Sequence, residues 1–203
     1  MLRPSCGASW PAHAGPGAAG FVREPGGLRE GRRDEVEPIR PVIYSGQGFS
    51  LGGEKGRFVL PPQFRKSVRQ SSGERNILFL GKHERWDCLV GFGDSRRFEI
   101  LEDLDLQQKV ARDRGEDFDY DTKSSMVFGC LEVPFDDSGR FVIPAGLIGP
   151  GCIGEELFFQ GGGKFFSLWS PAELDKMGGE WATAKSMCAS LAEESRKGKG
   201  RKS

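Results

Sequence analysis

Two distant segments of the sequence each place an arginine directly after a glycine and at the start of an apolar strand. They read GEKGRFVLPP at 53–62 and DSGRFVIP at 137–144, with Arg57 and Arg140 in matching positions. Glycine permits a tight loop, and a guanidinium at the mouth of a rigid strand can bind phosphate oxygens or a guanine edge. A tight turn with a salt bridge to a nearby carboxylate is the alternative for either copy. Duplication in one strand context favours a repetitive ligand such as DNA.

Other reactive side chains are sparse, which argues against catalysis. The only histidines are His13 and His83, and neither an HExxH nor a P-loop sequence is present. The cysteines lie far apart without a CxxC pair, so we expect buried or free thiols in a reducing compartment rather than disulfides or a zinc site. We therefore predict a protein that is not an enzyme and has no metal or other cofactor. The cysteines are Cys6, Cys88, Cys130, Cys152 and Cys188.

The elements that must position the two arginines repeat in the same order. RFVLP predicts a strand, followed by a short helix with Pro62 at its first position and with Phe64 and Val68 on one face. NILFLG and DCLVGF then predict a hairpin. In the second half, RFVIP is followed by ELFFQ and KFFSLW, a hairpin across three glycines. This order predicts an α+β fold that is mainly β.

Longer helices are predicted after each hairpin. Asp94 is a candidate cap for a helix whose apolar residues recur at helical spacing, namely Phe98, Leu101, Leu104 and Val110. Residues 112–123 are highly charged and predict a loop or linker. Ser170, Pro171 and Glu173 together have the pattern of a capping box with proline at the first helical position.

The two ends of the chain have compositions typical of disorder. Residues 1–41 hold half of the 12 prolines and no apolar period, so we expect a disordered tail, with natural translation beginning near Val36 or Val42. Residues 193–203 are rich in lysine and arginine and are expected to be mobile. No apolar run approaches the ~20 residues that a membrane helix needs, and no secretion signal is recognised.

The two motifs and the hairpins that follow them resemble the MraZ family. GGEKGRFVLPPQFR and FDDSGRFVIPAGL carry the resemblance, with CLVGF and FSLW in the matching hairpins, and it covers about residues 43–180. It implies two tandem swapped-hairpin β units of the SpoVT/AbrB type that form a pseudo-symmetric barrel, with helices after each unit. The implied segments are a first unit at 47–95, a helix and linker at 96–126, a second unit at 127–172 and a C-terminal helix at 173–192.

The resemblance also implies a function. Members of this family are expected to be bacterial transcriptional regulators, and a repressor is predicted here. The expected partner is double-stranded DNA, bound at direct repeats upstream of the division and cell-wall gene cluster, including the regulator's own gene. A ring-like homo-oligomer in the cytoplasm, associated with the nucleoid, is implied as well. Neither a membrane nor a small-molecule substrate is expected.

Matched residue by residue, the second motif keeps the family's aspartate and the first does not. Asp136 precedes Gly139 and Arg140, whereas Gly53 takes the aspartate's place in the first motif. The residues expected to brace the loops are Glu54, Asp136, Asp137 and Gly139. The residues expected to contact DNA are Lys55, Gly56, Arg57, Arg65, Lys66, Arg69 and Arg140.

The net charge of the whole chain is zero, but the two halves differ in charge. Residues 53–75 contain six basic and two acidic side chains, whereas residues 127–175 contain two basic and seven acidic ones. We expect the first half to make most phosphate contacts, because counterion release dominates affinity for DNA. An ordinary solvated helix face is the alternative for the basic cluster. For the chain as a whole, the alternative function is an antitoxin-like or structural protein-interaction module on the same fold.

Overall fold

The structure, a computed structural model, describes residues 42–53 and 56–200. The predicted disordered tail at 1–41 and the proposed translation start therefore lie outside the described residues. So do Glu54, Lys55 and the last three residues.

Eight strands and six α-helices make up this part of the chain. The strands are β1 (Gln47–Leu51), β2 (Arg57–Val59), β3 (Ile77–Lys82), β4 (Leu89–Phe92), β5 (Leu131–Pro134), β6 (Arg140–Val142), β7 (Glu156–Gly161) and β8 (Phe166–Trp169). The helices are α1 (Pro62–Ser71), α2 (Ser95–Arg114), α3 (Tyr120–Phe128), α4 (Ala145–Ile148), α5 (Pro171–Asp175) and α6 (Ala182–Gly200), with a short 3-10 helix at Gly179–Trp181. The α+β class is confirmed, but the fold is not mainly β, because α2 and α6 alone contain 20 and 19 residues.

The two halves of the chain interlock through their strands. Six strands form one antiparallel sheet in the order β1-β7-β8-β4-β3-β5, and β2 pairs with β6 in a separate two-stranded ribbon. The first strand of each half therefore pairs with the hairpin of the other half: Phe49 lies opposite Phe158, and Leu78 lies opposite Val133. The hairpins meet where β4 pairs with β8.

The strands described here do not close into a barrel, so the predicted pseudo-symmetric barrel is not confirmed. Strands β1 and β5 are the two ends of the six-stranded sheet, and neither pairs with the ribbon. A side-chain hydrogen bond, rather than backbone pairing, connects β2 to β1: the Val59 amide donates to Ser50 Oγ at 2.8 Å. Ser50 is buried, and its hydroxyl places β2 beside β1.

An aromatic core fills the space between the sheet and α1. Phe64 and Val68 are fully buried on one face of α1, as the sequence predicted, and the Phe64 ring lies 4.8 Å from that of Phe166. Burying a phenylalanine side chain contributes roughly 1.5–3 kcal/mol. Tyr44 is also buried, and its hydroxyl accepts a hydrogen bond from the Gly93 amide at 2.7 Å. These contacts fix α1 against the sheet that carries both hairpins.

The C-terminal helices pack on a second apolar cluster. Trp169 and Leu174 are fully buried there, with Cys188 of α6 nearly so. Burial raises the pKa of the Cys188 thiol to about 11, as expected of a thiol that packs as an apolar group. Helix α6 continues to Gly200, so residues 193–200 are helical in the segment that the sequence predicted to be mobile. Arg196 holds this part of the helix through two guanidinium nitrogens on the Glu156 carboxylate, at 2.7–2.9 Å.

Two predicted helix caps are absent. Asp94 lies at the start of α2 with helical dihedrals and caps nothing, because its carboxylate accepts hydrogen bonds from Arg75 and Arg97 instead. Ser170 precedes Pro171 in extended backbone but makes no side-chain cap bond. Glu173 binds Lys176 at 2.7 Å, so the capping box does not form.

The middle of the chain differs most from its prediction. Residues 120–128 form α3, where a linker and then the start of the second unit were expected, because the Asp119 carboxylate accepts a hydrogen bond from the Thr122 amide and caps the helix. On α2, Leu104 is buried, but Phe98 is 69 % exposed. The predicted apolar residues spread over more than half of the helix circumference at about 100° per residue, so they cannot share one buried face. Within residues 42–53 and 56–200, no helix is long and apolar enough to cross a membrane.

Candidate functional site

The two copies of the sequence RFV form the two strands of one ribbon. Arg57 lies opposite Val142, and Val59 lies opposite Arg140. Between these pairs, Phe58 faces Phe141, and both rings are buried. Because successive side chains of a strand point to opposite faces, the residues on either side of each phenylalanine all project outward.

The outward face of the ribbon is exposed and carries both arginines. Val59 and Val142 are 43 % and 49 % exposed, and Arg57 and Arg140 are exposed as well. Two guanidinium groups that are distant in sequence thus share one surface with two valines. Sequence reasoning singled out the arginines but missed the valines, although the period of two in RFV was the signal for them.

Both arginines line a pocket of about 320 Å³. Asp136 is the one carboxylate among the residues that form it, and the rest of the wall is apolar. A guanidinium presents several N–H donors in a planar fork, which matches a phosphate or the O6 and N7 atoms of guanine. The remaining lining residues are Val133, Pro134, Phe141 and Val142.

The second loop is a tight turn held by Asp136. Its carboxylate accepts a hydrogen bond from the Arg140 amide at 2.8 Å, and its backbone carbonyl accepts one from the Gly139 amide at 2.7 Å. The hydrogen bond from the Arg140 amide, assisted by the positive charge of Arg140, holds the pKa of the Asp136 carboxyl below its usual range. The guanidinium of Arg140 lies 3.6 Å from the same carboxylate. Asp136 therefore shapes the loop and limits where Arg140 can reach.

Gly139 cannot be replaced by a larger residue without strain. Its φ of +84° is in the left-handed region, and a Cβ atom there would lie 2.9 Å from the Leu60 carbonyl oxygen. The Leu60 amide donates to the Gly139 carbonyl at 2.8 Å, so the loop is packed directly against the strand of the other half.

The first loop shares the backbone pattern but lacks the carboxylate. The Gly53 amide donates to the Arg57 carbonyl at 2.7 Å, as the Asp136 amide does to the Arg140 carbonyl at 3.0 Å. Gly56 has a φ of +66° and is exposed, and no described atom lies within 4 Å of a Cβ built there. The predicted brace Glu54 and the predicted DNA contact Lys55 lie outside the described residues, as stated above.

Three arginines of the predicted basic cluster in the first half bind other groups of the protein. Arg65 donates from Nη1 to the Asp137 carbonyl of the second loop at 2.9 Å. Arg69 is half-buried and lies 3.7 Å from the Glu74 carboxylate, and Arg75 is paired with Asp94. Of the α1 cations, Lys66 is the exposed one.

Sequence reasoning also missed Asn76, whose side-chain amide donates to the Asp137 carboxylate at 3.0 Å. Asp137 thus receives hydrogen bonds from two residues of the first half. An asparagine just before a strand carries no signal for a partner 61 residues away.

The fold and this site together define a class of protein: a duplicated α+β chain in which two loops of matching glycine-arginine sequence lead into one ribbon with an exposed face. No family model matches the chain. Proteins named "Transcriptional regulator MraZ" do match it. That of Rhodospirillum rubrum is 34 % identical over 122 residues, which cover 60 % of this chain and 75 % of the relative.

Two further relatives carry the same name. The Ruegeria pomeroyi protein is 28 % identical over 141 residues, covering 66 % of this chain and 80 % of its own. The Gluconacetobacter diazotrophicus protein is 23 % identical over 145 residues, covering 71 % and 89 %. The chain belongs to the MraZ family.

Proposed function

We propose that the chain is a sequence-specific DNA-binding transcriptional regulator, acting as a repressor. The observation that carries this proposal is the placement of Arg57 and Arg140 on the one outward face of the β2–β6 ribbon, around a common pocket. The names of its relatives support the regulatory role.

The ribbon has the shape and chemistry for the major groove of DNA. That groove is about 12 Å wide and admits a two-stranded β-ribbon. Outward arginines can donate to guanine or to phosphates, and outward valines can contact the methyl group of thymine. The exposed pairs Arg57 with Val142 and Val59 with Arg140 supply both kinds of contact in a near two-fold arrangement.

Internal pairing limits which cations of the first half are available to phosphates. Arg65, Arg69 and Arg75 all have partners within the protein. Arg140 also has one, Asp136 at 3.6 Å, but it lines the pocket together with Arg57. The proposed interface therefore centres on the ribbon, with Lys66 of α1 as the additional candidate, rather than on the whole basic cluster that the sequence predicted.

The finer architecture and assembly are part of the same proposal. Segments 47–95 and 127–172 are inferred to be SpoVT/AbrB-type units, and the exchange of first strands between the halves supports this inference. A ring-like homo-oligomer would combine several weak interfaces on direct repeats upstream of the division and cell-wall gene cluster, including the protein's own gene. Exposed apolar side chains, such as Phe98 at 69 % and Leu106 at 60 %, support subunit contacts. The proposed location is the cytoplasm, on the nucleoid.

Packing of the C-terminal helix weighs against the alternative of an antitoxin-like module. That role requires a helix free to bind a toxin, whereas Ala184, Cys188 and Ala192 of α6 are buried within the chain.

The proposal is tested by DNA binding at several salt concentrations, on the DNA upstream of the gene itself and on a scrambled duplex. Arg57→Ala and Arg140→Ala are compared with Arg112→Ala, an exposed arginine in the last turn of α2. We expect each ribbon variant to lose about 10-fold or more in affinity for the upstream DNA, the cost of one base-reading contact. Wild-type-like binding by both ribbon variants, or equal binding of the two duplexes by the wild type, would overturn it.

A further inference from the structure

We propose that Arg65 is a positioning residue: it holds the second loop, and through that loop Arg140, in the geometry that contacts DNA, and does not itself contact DNA. This inference deepens the function proposed above and rests on it. It replaces the sequence-based prediction that Arg65 of α1 binds phosphate.

The first observation is the direct contact between the halves. Arg65 Nη1 donates to the main-chain carbonyl of Asp137 at 2.9 Å, across 72 positions of sequence. A hydrogen bond from a charged donor to a carbonyl is stronger than a neutral one. Because the acceptor is a backbone atom, the contact fixes the path of the loop and not only one side chain.

The second observation is the position of the Arg65 side chain over Gly139. A Cβ atom on Gly139 would lie 3.3 Å from both Cδ and Nη1 of Arg65, so this side chain covers the loop on one side. Gly139 is buried as a result, although it lies in a turn. The next residue along the chain is Arg140, whose amide is held by Asp136. The arginine that faces the pocket is thus attached to a turn that the first half covers.

The third observation is a second bond of the same kind. Asn76 donates from its side-chain amide to the Asp137 carboxylate at 3.0 Å. Arg65 near the start of α1 and Asn76 directly before β3 hold the same residue of the loop, one by its carbonyl and one by its carboxylate.

The matching position in the second half cannot provide such a brace. Aligning LPPQFR with IPAGLI places Ile148 of α4 where α1 has Arg65. Isoleucine has no side-chain donor, and Ile148 is 43 % exposed. Gly56 is likewise exposed where Gly139 is buried. The brace therefore runs in one direction, from the first half to the second loop, and makes the two loops unequal.

The test begins with the free protein, so that it does not depend on DNA. Amide hydrogen exchange at Gly139 and Arg140 is measured in the full chain for wild type, Arg65→Gln and Arg65→Lys. Lys66→Gln, the exposed neighbour on the same helix, is the matched control. We expect Arg65→Gln to speed exchange at both amides by about 10-fold, the loss expected for one charge-assisted hydrogen bond, with exchange in β3 unchanged. Arg65→Lys should restore much of the protection. Wild-type exchange in Arg65→Gln would overturn the proposal.

The second arm measures DNA binding of Arg65→Gln, Arg140→Ala and the double variant against salt. A positioning role predicts that the double variant binds no more weakly than Arg140→Ala and has the same salt slope. A direct phosphate contact predicts that the losses add and that the magnitude of the salt slope falls by a further ~0.9, which would overturn the proposal.

The two proposals can fail separately. If the wild type shows no preference for the upstream DNA, the proposed function fails, but the hydrogen-exchange result for Arg65 is unaffected. If Arg65→Gln does not fold, Asn76→Ala removes the second bond alone and must speed exchange at the same amides.

Discussion

Phe58 and Phe141 face each other across the β2–β6 ribbon, with ring centroids 6.3 Å apart and both rings buried. Each lies next to an arginine that projects from the opposite side of the same strand. The pair anchors the ribbon to the core, so the outward direction of Arg57 and Arg140 depends on packing that neither arginine takes part in.

Replacing Phe141 with alanine should therefore lower both stability and DNA binding. A buried Phe-to-Ala change typically costs about 3–5 kcal/mol, because the lost transfer energy is joined by the cost of a cavity. Urea unfolding followed by tryptophan fluorescence measures the first effect. Val142→Ala is the control, since an exposed side chain should cost within about 0.5 kcal/mol. Equal stability of the two variants would mean that the ribbon is not anchored through its phenylalanines.

The two loop glycines should differ in their tolerance of alanine. Both have positive φ, so each substitution costs about 1–2 kcal/mol for left-handed backbone. At Gly139 the new methyl group would also lie 2.9 Å from the Leu60 carbonyl, whereas at Gly56 no described atom is within 4 Å. We expect Gly139→Ala to be the more destabilising change in thermal or urea unfolding. The reverse order would contradict the packing of the second loop.

The pH dependence of stability should carry a contribution from Asp136. Its pKa is lowered in the folded protein by the hydrogen bond from the Arg140 amide and by the charge of Arg140, whereas in the unfolded chain it returns to the ordinary value of about 3.9. A lowered pKa means that the unfolded state binds the proton more readily, so this stabilisation is present above about pH 4 and is lost as the pH falls through the folded-state value.

Asp136→Asn removes the titrating carboxyl group. The free energy of unfolding of this variant should therefore fall less at low pH than that of the wild type. Unfolding curves at pH 7 and below pH 4, with a carbon-13 titration of the Asp136 carboxyl, measure it. Glu132→Gln is the control, an exposed carboxylate on β5. A titration midpoint for Asp136 above that of an ordinary aspartate would refute the prediction.

Local sequence was sufficient to predict the short strands and helices, but not the contacts between them. RFV, NILFLG and the face of α1 with Phe64 and Val68 form where period and proline placement predict them. Asp94 was predicted as a cap because a cap position is local, but its carboxylate binds Arg97 and Arg75, and the contact with Arg75 depends on tertiary structure.

The contacts that join the two halves at the candidate site are long-range. The pairing of β2 with β6 could be suspected from the repeated motif, since equivalent segments often pair about a two-fold axis. The bond from Arg65 to Asp137 could not, because it exists in only one of the two equivalent positions. A composition count placed six cations in residues 53–75, but it could not show that three of them are engaged inside the protein.

The exchange of first strands between the halves has a consequence for concentration. Two separate chains arranged in this way would dissociate on dilution, whereas here the α2–α3 segment keeps each half within reach of the other at any protein concentration. Partner choice is settled by the covalent connection, so neither half needs to recognise a copy of itself. The two halves can therefore differ in sequence. In this chain Ile148 takes the position that matches Arg65, and Gly53 takes the position that matches Asp136. A surface built on a two-fold pattern thereby gains a front and a back, which would let the proposed DNA-binding surface distinguish the two directions along a duplex.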